Sequence, residues 1–138
     1  MLAKDVMTTK VEYVSEKQTL KEAAELMQEK DVGELPVVTN SEAVGIITDR
    51  DIVTRAVSHG LDPNTTKVID AMSEGVVACG ETDDILQIVG MMGSQKIRRL
   101  PVVDIDNKMT GVISISDLAM HMNESMVGDL LRQISTGA

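Results

Sequence analysis

The chain is a tandem duplication, and this constrains its fold more than any other feature. Three blocks recur in the same order, the first two at an offset of 65 residues and the third at 66: DVMT 5–8 with DAMS 70–73, GELPVV 33–38 with RRLPVV 98–103, and GIITDRD 45–51 with GVISISD 111–117. The change of offset reflects one extra residue in the turn IDNK of the second copy. Because a repeat builds the same supersecondary unit each time, the fold must contain two equivalent halves.

Each copy predicts the element order β-α-β-β-α. A short strand, VEYV or VVAC, precedes a helix whose apolar residues have helical spacing: Leu20, Ala23, Ala24 and Met27 in copy one, and Ile85, Ile88, Val89 and Met92 in copy two. Thr19 with Glu22, and Asp84 with Gln87, are placed as N-cap and N3 residues of these helices.

Two β-branched runs joined by a polar turn follow, LPVVT and VGIIT in copy one, LPVVD and GVIS in copy two, and they predict adjacent strands. Pro36 and Pro101 lack an N–H group and belong at strand starts or sheet edges. The second helix of each copy carries the apolar residues Ile52, Val53, Ala56 and Val57, or Leu118 and Met122.

These patterns predict an α+β fold in which two β-α-β-β-α repeats pack sheet to sheet about a pseudo-twofold axis, since a three-stranded unit of this size is marginal alone. The expected boundaries are residues 1–62, 63–124 and a C-terminal helix at 125–138. The apolar residues of that helix either cover the core or meet another subunit: Val127, Leu130, Leu131 and Ile134.

Composition excludes several classes of function. A formal charge of −9 opposes binding to nucleic acid and to anionic membranes. The single Cys79 fits a reducing, cytoplasmic setting, and neither a signal peptide nor a membrane span is expected. His59 and His121 have no partners at metal-ligand spacing, so no metal site is predicted. No nucleophile–base pattern or phosphate-binding loop suggests an enzyme.

The repeated corner GhhTxxD, where h is apolar, allows two interpretations. Thr48 with Asp51, and Ser114 with Asp117, have the form of a capping box, which needs no ligand. Yet both copies place glycine, two β-branched residues, a hydroxyl and an acid at the same spacing. A carboxylate beside a helix N-terminus can accept both hydrogen bonds of a ribose diol, so the repetition favours a nucleoside site.

Taken together, DVMT, LPVV and GhhTxxD in both copies resemble a tandem pair of CBS domains, the Bateman module, over residues 5 to about 122. The resemblance implies a regulatory module that binds AMP, ADP, ATP, S-adenosylmethionine or a dinucleotide in clefts between the repeats. It also implies a homodimer, an unidentified regulated protein and no required cofactor. The alternatives are a ligand-free dimerisation scaffold and a fragment of a larger CBS-regulated enzyme or transporter.

The resemblance also implies roles for individual residues. Asp51 and Asp117 occupy the ribose-binding position, and the neighbouring residues that touch ribose or phosphate are Thr48, Arg50, Ser114 and Ser116. Backbone contacts to adenine are implied around Glu34, Pro36 and Pro101.

The basic segment KIRR at residues 96–99 is an exception in an acidic chain. It can be a solvated surface cluster. The resemblance instead implies that Arg98 and Arg99 bind phosphate. The matching residues of copy one, Gly33 and Glu34, carry no positive charge. We expect the two arginines to serve the site marked by Asp51 in a crossed arrangement; the alternative is that they serve their own site.

Overall fold

The computed structural model describes residues 1–136, and the chain folds as two compact units. The copy-one unit is Glu12–Val76, and the copy-two unit combines Met1–Val11 with Val77–Ala138. Gly137 and Ala138, the end of the predicted C-terminal helix, lie outside the described residues. The boundaries predicted from the repeat, 1–62 and 63–124, stay a prediction.

The helices and strands follow one another in this order: α1 Ala3–Val6, α2 Leu20–Lys30, β1 Glu34–Thr39, β2 Glu42–Thr48, α3 Asp49–Asp51, a π-helical segment Ile52–Ala56, a 3-10 turn Val57–His59, a 3-10 turn Val68–Asp70, β3 Ser73–Glu74, β4 Cys79–Gly80, α4 Ile85–Gln95, β5 Arg99–Val103, β6 Met109–Ser114, α5 Ile115–His121 and α6 Glu124–Ser135. Each unit holds a three-stranded sheet, with the order β1-β2-β3 or β4-β5-β6. The predicted α+β class is therefore confirmed.

In the copy-one unit, α2 begins where its sequence predicted. Thr19 and Glu22 form the capping box, and Leu20, Ala23 and Met27 are buried, whereas Ala24 is exposed. The β1–β2 hairpin turns at Asn40 and Ser41, which have φ values of 52° and 67°. Two successive residues with positive φ match the right-handed twist of the strands they join.

In the copy-two unit, α4 buries Ile85, Ile88 and Met92. Its cap differs from the prediction, because the Asp84 side chain accepts a hydrogen bond from the Leu86 N–H and Gln87 completes no capping box. β5 pairs with β4 in parallel and with β6 in antiparallel fashion. Leu130 and Ile134 of α6 join this core, so the last helix covers the unit to which it belongs.

DVMT and DAMS are the DxM segments that begin the two sequence copies. Each compact unit contains the DxM segment of the other sequence copy, an arrangement called here the exchange of DxM segments. DVMT lies in the copy-two unit, where Thr8 forms a bridge with Val112 of β6, whereas DAMS lies in the copy-one unit, where Ser73 pairs with Ile46 of β2. Gly45 and Gly111 make this approach possible. A Cβ atom at Gly45 would lie 2.6 Å from the Ser73 carbonyl oxygen, and one at Gly111 would lie 2.9 Å from the Thr8 carbonyl oxygen.

Two predicted elements are less regular than expected. The strand VEYV is reduced to a bridge between Val14 and Val37, and VVAC to Cys79–Gly80. The second helix of copy one passes from one α turn to π and 3-10 geometry, and Val53 and Val57 are 57% and 58% exposed. Ala56 alone among its predicted apolar residues is fully buried, since Ile52 is half-buried. The packing about a pseudo-twofold axis stays a prediction.

Candidate functional site

Both repeated corners form the capping box that their sequence allows. In copy one, the Asp51 N–H donates to Thr48 Oγ1 over 3.0 Å, and the Thr48 N–H donates to Asp51 Oδ2 over 3.1 Å. In copy two, the Asp117 N–H donates to Ser114 Oγ over 3.2 Å, and the Ser114 N–H donates to Asp117 Oδ2 over 2.9 Å. The capping interpretation is thus correct for local structure, and it uses only Oδ2 of each carboxylate.

The second carboxylate oxygen has a different neighbour in each copy. Asp51 Oδ1 lies 3.7 Å from Arg55 Nε, one helical turn further along the chain. Asp117 Oδ1 accepts a hydrogen bond of 3.0 Å from Thr8 Oγ1. An ionised carboxylate offers about four lone-pair sites, so each aspartate retains capacity for a further donor.

Sequence reasoning missed Thr8 and Arg55 as neighbours of these acids. The spacing of Asp51 and Arg55 is the i,i+4 spacing of a helical ion pair, which could have identified Arg55. Arg55 Nη1 also donates to the Ala71 carbonyl oxygen over 3.0 Å, which ties the helix to the DAMS segment. The repeat places Thr8 at the position of Ser73, but it does not predict the contact with Asp117, which is 109 residues away.

The hydroxyl and basic residues between the corner residues face solvent. The Asp51 side chain keeps 13% of its surface accessible. Arg50 and Ser116 are exposed, and the Arg50 N–H donates to Asp49 Oδ1 over 2.8 Å. The structure therefore places Thr48, Arg50 and Asp51 together at the start of one helix. It likewise places Ser114, Ser116 and Asp117 together at the start of α5.

Strand pairing brings the segments before the two prolines beside these corners. Glu34 is the register partner of Thr48, and Arg99 is the register partner of Ser114. Residues paired in this way have Cβ atoms about 4.5–5.5 Å apart. The Gly33 carbonyl accepts from the Asp49 N–H over 2.9 Å, and the Arg98 carbonyl accepts from the Ile115 N–H over 3.1 Å. In both copies, an equivalent backbone hydrogen bond thus links the residue before the strand to the first residue of the following helix.

The prolines themselves lie within strands rather than at their first residues. Pro36 is the third residue of the edge strand β1, and its carbonyl oxygen accepts from the Val14 N–H over 3.1 Å. Pro101 is the third residue of β5, the central strand of its sheet, and is buried. It is tolerated there because β4 pairs only with Val102 and Val103.

The two arginines differ in environment. Arg98 is exposed and Arg99 is half-buried, and Arg99 is engaged in interactions within the protein. The backbone of both arginines lies beside the start of α5, because Arg99 is the register partner of Ser114 and the Arg98 carbonyl accepts from the Ile115 N–H.

Neither the Cys79 thiol nor the potential metal ligands among residues 1–136 are assembled into a site. The Cys79 thiol is packed in the core. Burial, together with the charge of Asp83, raises the pKa of this thiol to about 11, so it is not an activated nucleophile. Within residues 1–136 no cluster of three or more His, Cys, Asp or Glu side chains could hold a metal ion. Over the same residues, no helix combines the length and the apolar character that a membrane span requires.

Comparison with known proteins gives one consistent result. The model of the CBS domain family matches residues 3–58 and 68–124. The CBS domain-containing protein YhcV of Bacillus subtilis is 39% identical over 133 residues, which are 96% of this chain and 94% of YhcV. Hypoxic response protein 1 of Mycobacterium tuberculosis is 31% identical over 133 residues, covering 96% of this chain and 92% of that protein.

Solved structures agree at the level of fold. A crystal structure of Hypoxic Response Protein I with two coordinated zinc ions superposes with a TM-score of 0.81 at 31% identity, covering 89% of this chain and all of that one. The CBS domain pair of protein MJ0100, in complex with 5'-methylthioadenosine and S-adenosyl-L-methionine, gives a TM-score of 0.72 at 24% identity, covering 87% and 94%. The chain therefore belongs to the CBS domain family and carries two CBS domains.

Proposed function

We propose that this CBS pair is a regulatory module that binds an adenosine-containing ligand: AMP, ADP, ATP or S-adenosylmethionine. The observation that carries the proposal is the matched pair of corners. In each, the acid is fixed by a capping box through Oδ2, whereas Oδ1 lies 3.7 Å from Arg55 Nε in copy one and accepts from Thr8 Oγ1 in copy two. Capping alone explains Oδ2, and a ribose diol would supply donors for the remaining lone pairs.

Within this proposal Asp51 and Asp117 bind ribose, and Thr48, Arg50, Ser114 and Ser116 contact ribose or phosphate. Arg98 and Arg99 bind phosphate; their segment lies beside the Ser114 corner in strand register, and the crossed arrangement that would bring them to the Asp51 site stays a prediction. Backbone groups around Glu34, Pro36 and Pro101 meet the adenine. The Pro36 carbonyl already accepts one hydrogen bond and retains a second lone pair.

The two corners support unequal affinities. At Asp117 a ligand hydroxyl must compete with or share the 3.0 Å hydrogen bond from Thr8, whereas at Asp51 the Arg55 guanidinium is 3.7 Å away and leaves Oδ1 more open. A hydrogen bond to a charged carboxylate is worth about 1.5–3 kcal/mol net. We therefore assign the stronger ribose contact to Asp51.

The bound pair MJ0100 supports adenosine chemistry as a precedent for this fold, since its two ligands share an adenosine. Regulation would follow if occupancy favours one conformation of the module over another. In this proposal the protein is a cytoplasmic homodimer without catalytic activity, and its conformation changes its affinity for a regulated partner protein.

Thermal denaturation with a ligand panel tests the proposal. AMP, ADP, ATP and S-adenosylmethionine are added separately, and native mass spectrometry identifies any small molecule that copurifies. A ligand at 100 times its Kd should raise the free energy of unfolding by about 2.7 kcal/mol. Inosine monophosphate at equal concentration is the control for the base. If none of the four compounds shifts the transition and no adenosine compound copurifies, the proposal is wrong.

A dimerisation scaffold is the second candidate, and exposed apolar side chains favour it. Val53 and Val57 are 57% and 58% exposed on one irregular helix. If they mediate self-association, the double variant V53S/V57S should sediment as a monomer under conditions where the wild-type protein is a dimer. An unchanged sedimentation coefficient would exclude this face from the contact.

A further inference from the structure

An open pocket of about 510 Å³ lies at the end of the copy-one sheet away from the Thr48 corner. Ser15, Glu16 and Lys17 form one wall, and Val38, Thr39 and Asn40 form another. Lys67 and Ile69 complete the lining. The volume falls within the range of about 300–1,000 Å³ that is usual for small-molecule sites.

The pocket is separate from the proposed nucleoside site. β1 runs from Glu34, which pairs with Thr48, to Thr39, which lines the pocket. Because a strand rises about 3.3 Å per residue, these two ends are roughly 16 Å apart. A ribose bound by Asp51 beside Thr48 would therefore lie at the opposite end of β1 from this pocket.

The walls of the pocket are fixed by backbone hydrogen bonds. The Val38 N–H donates to the Val14 carbonyl over 2.8 Å, and the Ile69 N–H donates to the Glu16 carbonyl over 3.2 Å. Glu16 Oε1 accepts from Thr39 Oγ1 over 2.5 Å, which joins the first two walls through their side chains. The pocket is thus held by contacts between residues distant in sequence.

Charge in the pocket contrasts with the acidic chain around it. Lys17 and Lys67 are exposed, and neither forms an ion pair with a carboxylate of residues 1–136. Glu16, the carboxylate among the lining residues, is engaged by Thr39. Two lysines and one glutamate thus line the pocket, in a chain whose formal charge is −9, and Glu22 outside the lining also interacts electrostatically with Lys67.

The remaining lining sets the shape of the ligand. Ile69 supplies most of the apolar surface, because it is 43% exposed, whereas Val38 lines the pocket with only 7% of its surface exposed. The methylene stems of the lysines can extend this surface while their ammonium groups stay hydrated. An inorganic ion would contact the charges and leave the apolar part uncovered.

We propose that this pocket binds a small organic anion, with its phosphate or carboxylate group at Lys17 and Lys67 and its carbon skeleton on Val38 and Ile69. This goes beyond the adenosine function and is independent of it. A ligand held here would contact both β1 and the segment that connects the two sequence copies, so it would stabilise the copy-one unit by its binding free energy.

The test uses the full chain and amide chemical shifts in NMR spectra. n-Butyl phosphate, butyrate and inorganic phosphate are titrated separately to 20 mM. n-Butyl phosphate or butyrate should shift the amides of residues 15–17 and 39–40, and the stronger of the two identifies the anionic group. Inorganic phosphate should bind at least threefold more weakly than n-butyl phosphate, because it cannot cover the apolar surface.

Charge variants decide whether the lysines hold the ligand. K17Q/K67Q should weaken binding at least tenfold, whereas K4Q/K21Q, which removes the same charge from exposed sites outside the pocket, should change it less than twofold. Circular dichroism should show both variants folded, since all four side chains are exposed. The proposal is overturned if no organic anion shifts these amides in the wild-type protein, or if K17Q/K67Q binds as tightly as K4Q/K21Q.

Discussion

At the scale of single residues, Gly45 and Gly111 show why the repeated corner begins with glycine. Each lies where the DxM segment of the opposite sequence copy meets the sheet, and each approach leaves no space for a Cβ atom. The first residue of GhhTxxD is therefore explained by packing, and the acid that ends it by capping together with the proposed ribose contact.

Substitution of either glycine by alanine should lower the free energy of unfolding by about 1–3 kcal/mol, the usual cost of overpacking a filled core. Gly90 is the control, because it lies inside α4 and a Cβ atom there would have no neighbour within 4 Å. Gly90→Ala should raise stability by about 0.5–1 kcal/mol through helix propensity. Urea denaturation of the three variants measures this; a neutral Gly111→Ala would contradict the packing explanation.

The proposed role of Arg99 in binding phosphate can be tested directly by measuring ligand affinity. Arg99→Ala should weaken binding of a phosphorylated adenosine ligand by about 1.5–3 kcal/mol, since a charged hydrogen bond to phosphate is lost. Arg132→Ala removes the same charge from an 84% exposed side chain of α6 and should change affinity little. Calorimetry in Asp51→Asn and Asp117→Asn backgrounds would identify the site that Arg99 serves. An unchanged affinity would remove the phosphate assignment.

At the scale of elements, substitutions in α6 test whether this helix covers the core of the copy-two unit. Leu130 is 2% exposed in the core shared with α4, whereas its neighbour Leu131 is 38% exposed. Leu130→Ala should cost about 2–5 kcal/mol of stability, the range for a buried leucine, and Leu131→Ala should cost under about 1 kcal/mol. Equal losses in chemical denaturation would show that α6 does not bury Leu130 in this core.

Helix α2 and both capping boxes could be predicted from the sequence because their determinants lie within a few residues of one another. Thr19 and Glu22 are three positions apart, as are Thr48 and Asp51. The contact between Thr8 and Asp117 spans 109 residues, and no local pattern reports a partner so distant. The irregular helix at Ile52–Ala56 was also unpredictable, since its apolar spacing is helical while Val53 and Val57 remain exposed.

At the scale of the whole molecule, the exchange of DxM segments makes each compact unit depend on both sequence copies. Ala3 and Val6 belong to the copy-two core, and the Ala3 and Lys4 N–H groups donate to the carbonyls of Asp83 and Glu81 over 2.9 Å. The N-terminal segment is therefore part of a unit whose other residues begin at Val77.

Deletion of residues 1–8 should consequently destabilise the copy-two unit more than the copy-one unit. Hydrogen exchange followed by NMR would show this as lost amide protection in α4 and β5, with protection in α2 and β1 largely retained. Greater loss of protection in the copy-one unit would contradict the exchange of DxM segments.

The central claim is that Asp51 and Asp117 bind the ribose of an adenosine ligand in addition to capping a helix. Isothermal titration calorimetry of wild-type protein, Asp51→Asn, Asp117→Asn and the double variant, with the ligand found by thermal denaturation, tests it most directly. Asparagine can still accept the capping hydrogen bond, so the variants should stay folded. We predict that each single variant loses binding at one site, with the larger loss for Asp51→Asn, and that the double variant binds none. Wild-type affinity in the folded double variant would contradict the claim.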